Sequence, residues 1–438
     1  MANTYLTRSK SSPTSDKKGT ISFWVKRSKI TNEQSVFNSG SGSIDSNIYF
    51  NGSTDKLHVY DYQSGAFSFQ YITTRVFRDT SAWYAITVEI DTTLTTASDR
   101  VKIYINGVRE TAFDTSTAPS QNATPLFFTS ANPFYIGAYR GSSSYFDGLL
   151  SHFHYTDGYA YGASTFGSTD STTGEWKINT SPSITMGTNG FTILKDGNTI
   201  TDQSANSNNF TVGGGTLTKT EDNPSNVFAT FNSLMHFRQP TPLLYGNTGI
   251  ENGDAQWENG YGTIATPTTG KFYAEFKYPV FGGGSYGHAG IIAVDDIATQ
   301  ASGYLNFGDA SNSWSISVTD GSVYNSGSSI ATYSSISANG IIGLAIDCTN
   351  SKLYISVNGT WQNSANPSAG TGGISITSNK EYFVGGKVYN AYLHANYGNG
   401  YFGTTAVSSA GTNASGIGIF EYDVPTGYTA LSTKGLNE

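Results

Sequence analysis

The sequence of 438 residues has one cysteine, Cys348, and few of the segments that build long helices. A single thiol excludes an internal disulfide framework, and its place after the apolar run IIGLAID predicts a buried, unreactive side chain. Windows rich in Ala, Glu, Lys and Leu are missing, which disfavours helices. No run reaches the roughly 18 apolar residues of a membrane span, and the N-terminus lacks the apolar core of a signal peptide. We expect a soluble chain made in a cytoplasm, without membrane insertion.

Positive charge is also scarce. The 24 Lys and Arg residues are outnumbered by 32 Asp and Glu, which gives a formal net charge of −8, and no block of like charge stands out. Binding to nucleic acid needs a basic patch that attracts phosphates. The composition therefore argues against nucleic acid as a partner.

Aromatic and turn-forming residues are abundant. The chain has 29 Tyr, 25 Phe and 50 Gly, and rings of this kind suit the half-buried surface of a β-sheet. Short alternating runs such as TISFWVKRS and WYAITVEID recur between turn signals at spacings of about 8 to 12 residues. This pattern is typical of an all-β sandwich or barrel.

Two hairpins repeat about 250 residues apart, a spacing longer than a typical domain. DRVKIYINGVRE at 99–110 and SKLYISVNGTWQ at 351–362 both place alternating apolar residues before an Asn-Gly turn. Each predicts a hairpin with one buried face. We therefore predict two antiparallel β-sandwiches, at 1–178 and 225–438, joined by a Ser/Thr/Asn/Gly-rich connector at 179–224.

Sequence elements in both predicted domains resemble known families. TISFWVKRS, WYAITVEID, RVKIYINGV and FDGLLSHFHY are similar to the strands of laminin G-like domains, which are concanavalin A-like jelly rolls. GKFYAEFKY, GHAGIIAV and HANYGNGYF are similar to the SPRY pattern, with its Asn-aromatic-Gly element at Asn396, Tyr397 and Gly398. The resemblance implies that both domains are concanavalin A-like, so the repeated hairpin reflects shared architecture.

A third resemblance bears on function. TFGSTDSTTGEWKINTSP, PSNVFATFN and the closing YDVPTGYTALSTKGLNE resemble tail-fibre and fibre-like virion proteins of tailed phages. This implies a virion surface appendage that presents lectin-like sandwiches to a host-surface glycan or receptor. It also implies virion partners, namely a fibre adaptor, tail or capsid protein, and a homo-oligomer with a trimer as the first expectation. The alternative is a purely structural virion linker or decoration protein.

Concanavalin A-like folds include glycosidases, which need two carboxyl groups, about 5 Å apart in retaining enzymes. In EIDTT, Glu89 and Asp91 share one strand face, but Thr93 occupies the third position, where the laminarinase-type pattern has a second Glu. We therefore predict no enzyme activity, and a polysaccharide-degrading enzyme ranks last among the functional hypotheses.

The loop AYRGSSSYF is the candidate glycan site. It places Tyr139, Arg140 and Tyr145 around GSSS, where two rings and a guanidinium would face a sugar. The alternative is that these are ordinary surface side chains.

Metal binding has weaker candidates. HFH puts His152 and His154 on one strand face, but no third ligand is evident nearby, which favours structural histidines. Laminin G-like domains often bind calcium at a rim, and Asp147 matches a position of that family that is usually structural. We predict no cofactor, with calcium left open.

Overall fold

A computed structural model describes residues 3–129, 132–195, 199–235, 243–281, 284–298 and 306–437. Strands hold 45% of the residues and helices 3%, so the predicted all-β class is confirmed. The chain forms two compact units, Met1–Lys219 and Thr220–Glu438, called unit 1 and unit 2. Within the described ranges, the helices are too short or too polar to cross a membrane.

Unit 1 is an antiparallel β-sandwich. Its described strands are β1 Tyr5–Arg8, β2 Lys18–Arg27, β3 Gln34–Ser41, β4 Ile44–Phe50, β5 Lys56–Gln63, β6 Ala66–Val76, β7 Tyr84–Asp91, β8 Val101–Ile105, β9 Val108–Arg109, β10 Phe113–Thr117, β11 Phe134–Ile136, β12 Gly148–Asp157, β13 Gly167–Thr169, β14 Trp176–Ile178, β15 Phe191–Ile193 and β16 Thr211–Gly214. Short 3-10 helices cover Ala97–Asp99 and Ala163–Thr165.

The strands of unit 1 form two large sheets. One has the order β10-β6-β5-β4-β3-β11-β1-β16 and the other β15-β12-β2-β7-β8-β9, while β13 and β14 pair separately. The core lies between these sheets, because alternate side chains of each sheet point inward and meet. Phe23 and Phe153 of one sheet stack at 5.0 Å between ring centroids, and Phe37 of the other lies 5.4 Å from Phe153.

Unit 2 is a second antiparallel sandwich. Its described strands are β17 Gly249–Glu251, β18 Trp257–Thr266, β19 Lys271–Lys277, β20 Tyr286–Ala293, β21 Ser313–Ser317, β22 Ser322–Asn325, β23 Ser328–Thr332, β24 Ile341–Asp347, β25 Lys352–Val357, β26 Thr360–Trp361, β27 Ile374–Ser375, β28 Tyr382–Tyr389, β29 Tyr392–Asn396, β30 Tyr401–Phe402, β31 Thr405–Ala406 and β32 Thr429–Ala430. The helix α1 spans Val294–Ala298 and a 3-10 helix spans Gly435–Asn437.

The two large sheets of unit 2 have the orders β17-β29-β19-β24-β25-β26 and β18-β28-β20-β21-β22-β23. Strand β27 pairs with β25, and β32 pairs in parallel with β19. Apolar residues from both sheets meet in one core, which includes Cys348 at its edge. The thiol is 6% exposed and burial raises its pKa to about 11, so the predicted buried cysteine is confirmed.

Both predicted hairpins are present. Strands β8 and β9 flank one Asn-Gly turn, and β25 and β26 flank the other. Each asparagine and the glycine after it has a positive φ, as a type I′ turn requires. Asn106 Oδ1 accepts a hydrogen bond from the backbone N–H of Ala85, and Asn358 Oδ1 accepts one from Ile341, both at 2.8 Å. The same side chain therefore fixes the same turn to the preceding strand in both units.

The predicted connector at 179–224 differs from what the structure shows, because residues up to Lys219 belong to unit 1. Strand β15 pairs with β12, and β16 pairs with β1 at the edge of the other sheet. Phe191 and Phe210 are buried and their ring centroids lie 4.6 Å apart. The low apolar density of this segment suggested a linker, but a few buried rings and edge-strand hydrogen bonds are enough to hold it on the sandwich.

Strand β19 turns one face into the core through Phe272, Ala274 and Phe276, and Tyr278 just after the strand enters the same core. The opposite face is buried as well, since Tyr273 and Glu275 are 0% exposed. The ring of Tyr273 meets that of Phe420 at 5.0 Å. The Glu275 carboxylate accepts hydrogen bonds from the backbone N–H groups of Glu421 and Tyr422, at 2.8 and 2.9 Å. The C-terminal segment thus covers this face of the sheet.

Replacement of Phe210 tests whether the segment before Lys219 is part of unit 1. Phe210→Ala removes a ring that is 3% exposed, and we expect a loss of about 3 kcal/mol in the free energy of unfolding. Val212→Ala is the matched control, because Val212 lies in the same segment and is 41% exposed. Calorimetric unfolding of the full chain measures both variants. Equal, small effects of the two would show that the segment is a linker.

Glu275 predicts a pH dependence of stability. Burial raises its pKa from 4.5 to about 7, so the folded chain holds this proton more tightly than the unfolded chain. The contribution of the carboxyl group to stability is therefore complete below pH 4.5 and is lost as the pH rises through 7. The Glu275→Gln variant has a neutral amide at this position, which does not titrate. We expect the stability advantage of the native chain over this variant to shrink by about 3 kcal/mol between about pH 4 and about pH 8.

Urea unfolding of both proteins across that pH range provides the measurement. A constant difference between them would contradict the assignment, since it would mean that Glu275 has the same pKa in the folded and unfolded chains.

Candidate functional site

The outward face of the eight-stranded sheet in unit 1 carries polar and aromatic side chains. In the β5 sequence KLHVYDYQ, Leu57 and Val59 point into the core, and the alternation of a strand sends His58, Tyr60 and Tyr62 to the other face. The paired residues of β4 follow the same rule, which brings Tyr49 opposite His58 and Asn47 opposite Tyr60. This surface is called the sheet-1 face below.

The rings of the sheet-1 face contact one another in a continuous row. Centroid distances are 4.7 Å for Tyr49–His58 and 5.9 Å for Tyr49–Tyr60. Phe67 lies 5.5 Å from Tyr60 and 5.1 Å from Tyr62. Phe67 is 44% exposed, so the row presents apolar ring surface to solvent.

The Asp45 carboxylate joins this row to the loop that carries Arg140. Tyr60 donates its hydroxyl to Asp45 Oδ2 at 2.5 Å, and Arg140 Nη2 donates to Asp45 Oδ1 at 2.8 Å. Arg140 Nη1 also donates to the carbonyl of Gly42. The guanidinium carbon lies 4.7 Å from the centroid of the Tyr139 ring, a cation–π distance. Side chains from two strands and one loop therefore meet at a buried carboxylate.

The loop that carries Arg140 has a fixed backbone. Tyr139 and Ser143 form a bridge that closes a tight turn. Arg140 has a φ of 52°, a left-handed conformation that needs support for a residue other than glycine. Its backbone N–H donates to Asn38 Oδ1 at 3.2 Å, and Asn38 Nδ2 donates to the carbonyl of Ser46 at 2.9 Å. The sheet thus holds the turn in place.

The electrostatics of the sheet-1 face make it a neutral hydrogen-bonding surface. Burial lowers the pKa of His58 to about 4, so its ring is uncharged at neutral pH. Burial raises the pKa of Tyr49 to about 12, and burial together with the hydrogen bond to Asp45 raises the pKa of Tyr60 further. The hydroxyls stay protonated, and the charges of Asp45 and Arg140 offset each other.

One donor at this site is unused. Arg140 Nε is buried and donates to none of the residues that the structure describes. A free buried donor favours a ligand that brings an acceptor, because an unsatisfied polar group is costly. Exposed ring faces beside such a donor suit a sugar, whose apolar C–H surface stacks on rings and whose hydroxyls accept hydrogen bonds.

Two of the three predicted glycan residues, Tyr139 and Arg140, lie together at Asp45. Tyr145 contacts other groups: its ring meets Tyr5 at 6.4 Å, and its hydroxyl donates to the Gly141 carbonyl at 3.5 Å. The sequence analysis missed Asp45, Tyr49, Tyr60 and Phe67. The signal that points to Tyr60 is the alternation in KLHVYDYQ, which puts a histidine and two tyrosines on one face.

The carboxylates weighed for catalysis both have partners. Glu89 accepts hydrogen bonds from Lys102 Nζ at 2.9 Å and from the Tyr104 hydroxyl at 3.0 Å. Asp91 Oδ1 accepts one from the backbone N–H of Thr93 at 3.0 Å. Glu89 thus contacts neighbouring side chains on the surface of the sheet, and Asp91 caps the turn that follows the strand.

The two predicted histidines lie on β12. His152 Nδ1 is 2.7 Å from Ser151 Oγ, and His154 Nδ1 is 2.9 Å from Thr192 Oγ1. Burial lowers the pKa of His154 to about 3, so its ring is neutral. His154 also borders a cavity of about 370 Å³ whose walls come mainly from 180–186 and 203–206. Each histidine thus has a hydroxyl partner, as a structural histidine would.

Asp147 lies just before β12, where burial raises the pKa of its carboxyl group. Its backbone carbonyl accepts a hydrogen bond from the N–H of Ser28 at 2.9 Å. In the parts of the chain that the structure covers, no three His, Cys, Asp or Glu side chains are grouped to hold a metal ion. Asp147, His152 and His154 are thus not grouped as one metal site among these residues, and the expectation of no cofactor, with calcium left open, stays a prediction.

Comparison with known proteins identifies the fold of unit 1. Residues 2–159 match the family described as the concanavalin A-like lectin/glucanases superfamily. The predicted jelly roll is thus confirmed for this unit. No curated protein matches the chain.

Solved structures give likenesses at low identity. The SPRY domain of human HERC1 is 13% identical, covers 38% of this chain and 96% of its own, and has a TM-score of 0.30. The mouse laminin alpha1 domains LG4-5 are 10% identical, cover 89% of this chain and 79% of their own, and have a TM-score of 0.29. Domain 4 of AbnA, an arabinanase from Geobacillus stearothermophilus, was solved in complex with arabinotriose. It is 20% identical, covers 34% of this chain and 63% of its own, and has a TM-score of 0.26.

Proposed function

We propose that this chain is a non-catalytic, lectin-like protein of a tailed-phage virion surface, and that unit 1 binds host-surface glycan through the sheet-1 face. The observation that carries the proposal is the row of rings beside the Asp45–Arg140 pair, where Arg140 Nε has no acceptor among the described residues. The lectin part is supported by the family match of residues 2–159. The virion part rests on the resemblance of TFGSTDSTTGEWKINTSP and YDVPTGYTALSTKGLNE to phage fibre proteins.

The chemistry of the sheet-1 face supports the proposal of binding without turnover. Glycoside hydrolysis uses a pair of carboxyl groups on either side of the bond that is cleaved. The face offers Asp45, which is held by Tyr60 and Arg140. Glu89 and Asp91 lie on the other sheet, in β7. The proposed role is therefore attachment.

A shallow polar site of this kind binds one sugar weakly, with a dissociation constant on the order of millimolar, because the sugar exchanges hydrogen bonds with water for similar ones. Display of several copies raises avidity by about 100-fold or more. We therefore propose a homo-oligomer, with a trimer as the first expectation, held on the particle by a fibre adaptor, tail or capsid protein.

An array of bacterial surface polysaccharides tests the proposal with the purified full-length oligomer. We expect retention on at least one polysaccharide without release of reducing ends. Tyr49→Ala and Phe67→Ala should each weaken retention about five- to tenfold, since each removes a stacking ring. Val108→Ala is the matched control, because Val108 is 66% exposed on the other sheet.

Three results would overturn the proposal. Release of reducing ends would favour the hypothesis of a polysaccharide-degrading enzyme. Firm incorporation into virions, with no binding to any polysaccharide of a susceptible host, would favour the structural linker. Equal loss of retention in the Val108→Ala control would show that the sheet-1 face is not the binding surface.

A further inference from the structure

Unit 2 carries a second aromatic surface, on the outward face of its six-stranded sheet. Trp257 of β18 pairs with Tyr389 of β28, and Tyr389 pairs with Tyr286 of β20, so three rings lie side by side across three strands. Centroid distances are 5.6 Å for Trp257–Tyr389 and 5.8 Å for Tyr286–Tyr389. Tyr286 is 46% exposed. These rings and the next row of paired residues are called the sheet-2 face.

The next row of paired residues is polar. Asn259 pairs with Lys387, and Lys387 pairs with His288. Lys387 is 5% exposed, and its Nζ lies 4.8 Å from the Trp257 ring centroid and 3.6 Å from Asp309 Oδ1. His288 Nδ1 lies 3.0 Å from Ser315 Oγ, and burial lowers the pKa of this histidine, so its ring is neutral. The polar row is thus a buried amine, a neutral ring and an amide beside the three rings.

Hydrogen bonds that link Asn259, Asn306 and Asp309 leave one amide oxygen without a donor among the described residues. Asn259 Nδ2 donates to Asn306 Oδ1 at 3.2 Å, and Asn306 Nδ2 donates to Asp309 Oδ2 at 2.9 Å. These bonds fix the orientation of Asn259, because Asp309 accepts hydrogen bonds and cannot donate them when ionised. Asn259 Oδ1 is buried and accepts from none of the described residues. An orphan acceptor of this kind calls for a ligand that donates.

The charges of the site narrow the class of ligand. The amine of Lys387 has its counter-charge in Asp309, which is exposed at the rim, so an anionic group would meet a carboxylate there. A cationic group would meet Lys387. A hydroxyl suits this site, since it can donate its one proton to Asn259 Oδ1 and accept a hydrogen bond from Lys387. The adjacent rings favour a ligand with an apolar C–H face, which a neutral pyranose has.

We propose that the sheet-2 face is a second carbohydrate site, which takes a neutral pyranose stacked on Trp257 and Tyr286 with a hydroxyl donated to Asn259 Oδ1. The proposal shares its ligand class with the proposed function of unit 1 but is carried by residues of unit 2. A chain with both sites has two independent carbohydrate-binding faces, one in each unit.

Fluorine NMR of the full chain, labelled with 5-fluorotryptophan, tests the second site directly. The chain has 6 Trp, and Trp257→Phe assigns the resonance of Trp257 by its disappearance. The probes are D-glucose, D-galactose and D-mannose, each titrated into the millimolar range and above, with D-glucuronate as the anionic comparison and glycerol as a polyol without a ring. None of the residues assigned to the sheet-1 face is a tryptophan, so failure of unit 1 to bind leaves this readout unchanged.

We expect at least one neutral hexose to shift the Trp257 resonance with saturation, and glucuronate to bind at least about fivefold more weakly. Asn259→Ala should weaken the hexose about tenfold, the effect of one lost hydrogen bond in a partly buried site, while the other five resonances confirm that the variant is folded. Ile330→Ala is the matched control, because Ile330 is 49% exposed on β23 at the far edge of the same sheet.

Three outcomes would overturn the proposal. The first is that the Trp257 resonance does not move with any of the three hexoses. The second is that glycerol moves this resonance as far as the hexoses do, which would mean that the rings do not select a pyranose. Tighter binding of glucuronate would show an anion site centred on Lys387.

Discussion

The Asp45 carboxylate, shared between the Tyr60 hydroxyl and the Arg140 guanidinium, is the interaction on which the sheet-1 face depends. A carboxylate this deeply buried is tolerated only with a counter-charge and hydrogen bonds, so Arg140 must reach back over the sheet. That requirement explains the left-handed backbone of Arg140 and its anchor at Asn38. The rings beside Asp45 are therefore held in position before any ligand arrives, which reduces the entropy lost on binding.

The two units share the same arrangement of core and outward sheet face. In each, apolar side chains of two sheets form the core, and a sheet face pointing away from that core carries rings and a pair of opposite charges of which one member is buried. The pair is Asp45 with Arg140 in unit 1 and Lys387 with Asp309 in unit 2. In both places a buried polar atom has no partner among the described residues, Arg140 Nε in the first and Asn259 Oδ1 in the second. One site offers a donor and the other an acceptor, so their expected sugars need not be the same.

Local patterns in the sequence predicted the elements that depend on neighbouring residues. The Asn-Gly hairpins, the all-β class and the buried Cys348 follow from turn chemistry and alternation, which are local. The sheet-1 face could be predicted only in part. Arg140 was recognised as a loop guanidinium, but its partner Asp45 lies 95 positions away, and only the strand order brings them together. Alternation also shows which residues share a face without showing what covers it. The C-terminal segment covers the face of β19 that carries Glu275, and alternation alone does not predict that cover.

The most direct measurement of the central claim is an experimental structure of the full-length chain bound to an oligosaccharide from a host-surface polysaccharide. The account predicts a pyranose over Tyr49 and Phe67 with an oxygen within hydrogen-bond distance of Arg140 Nε, and no change in the Asp45 contacts. An oligosaccharide bound only to loops at the ends of the sandwiches, with both sheet faces empty, would contradict it.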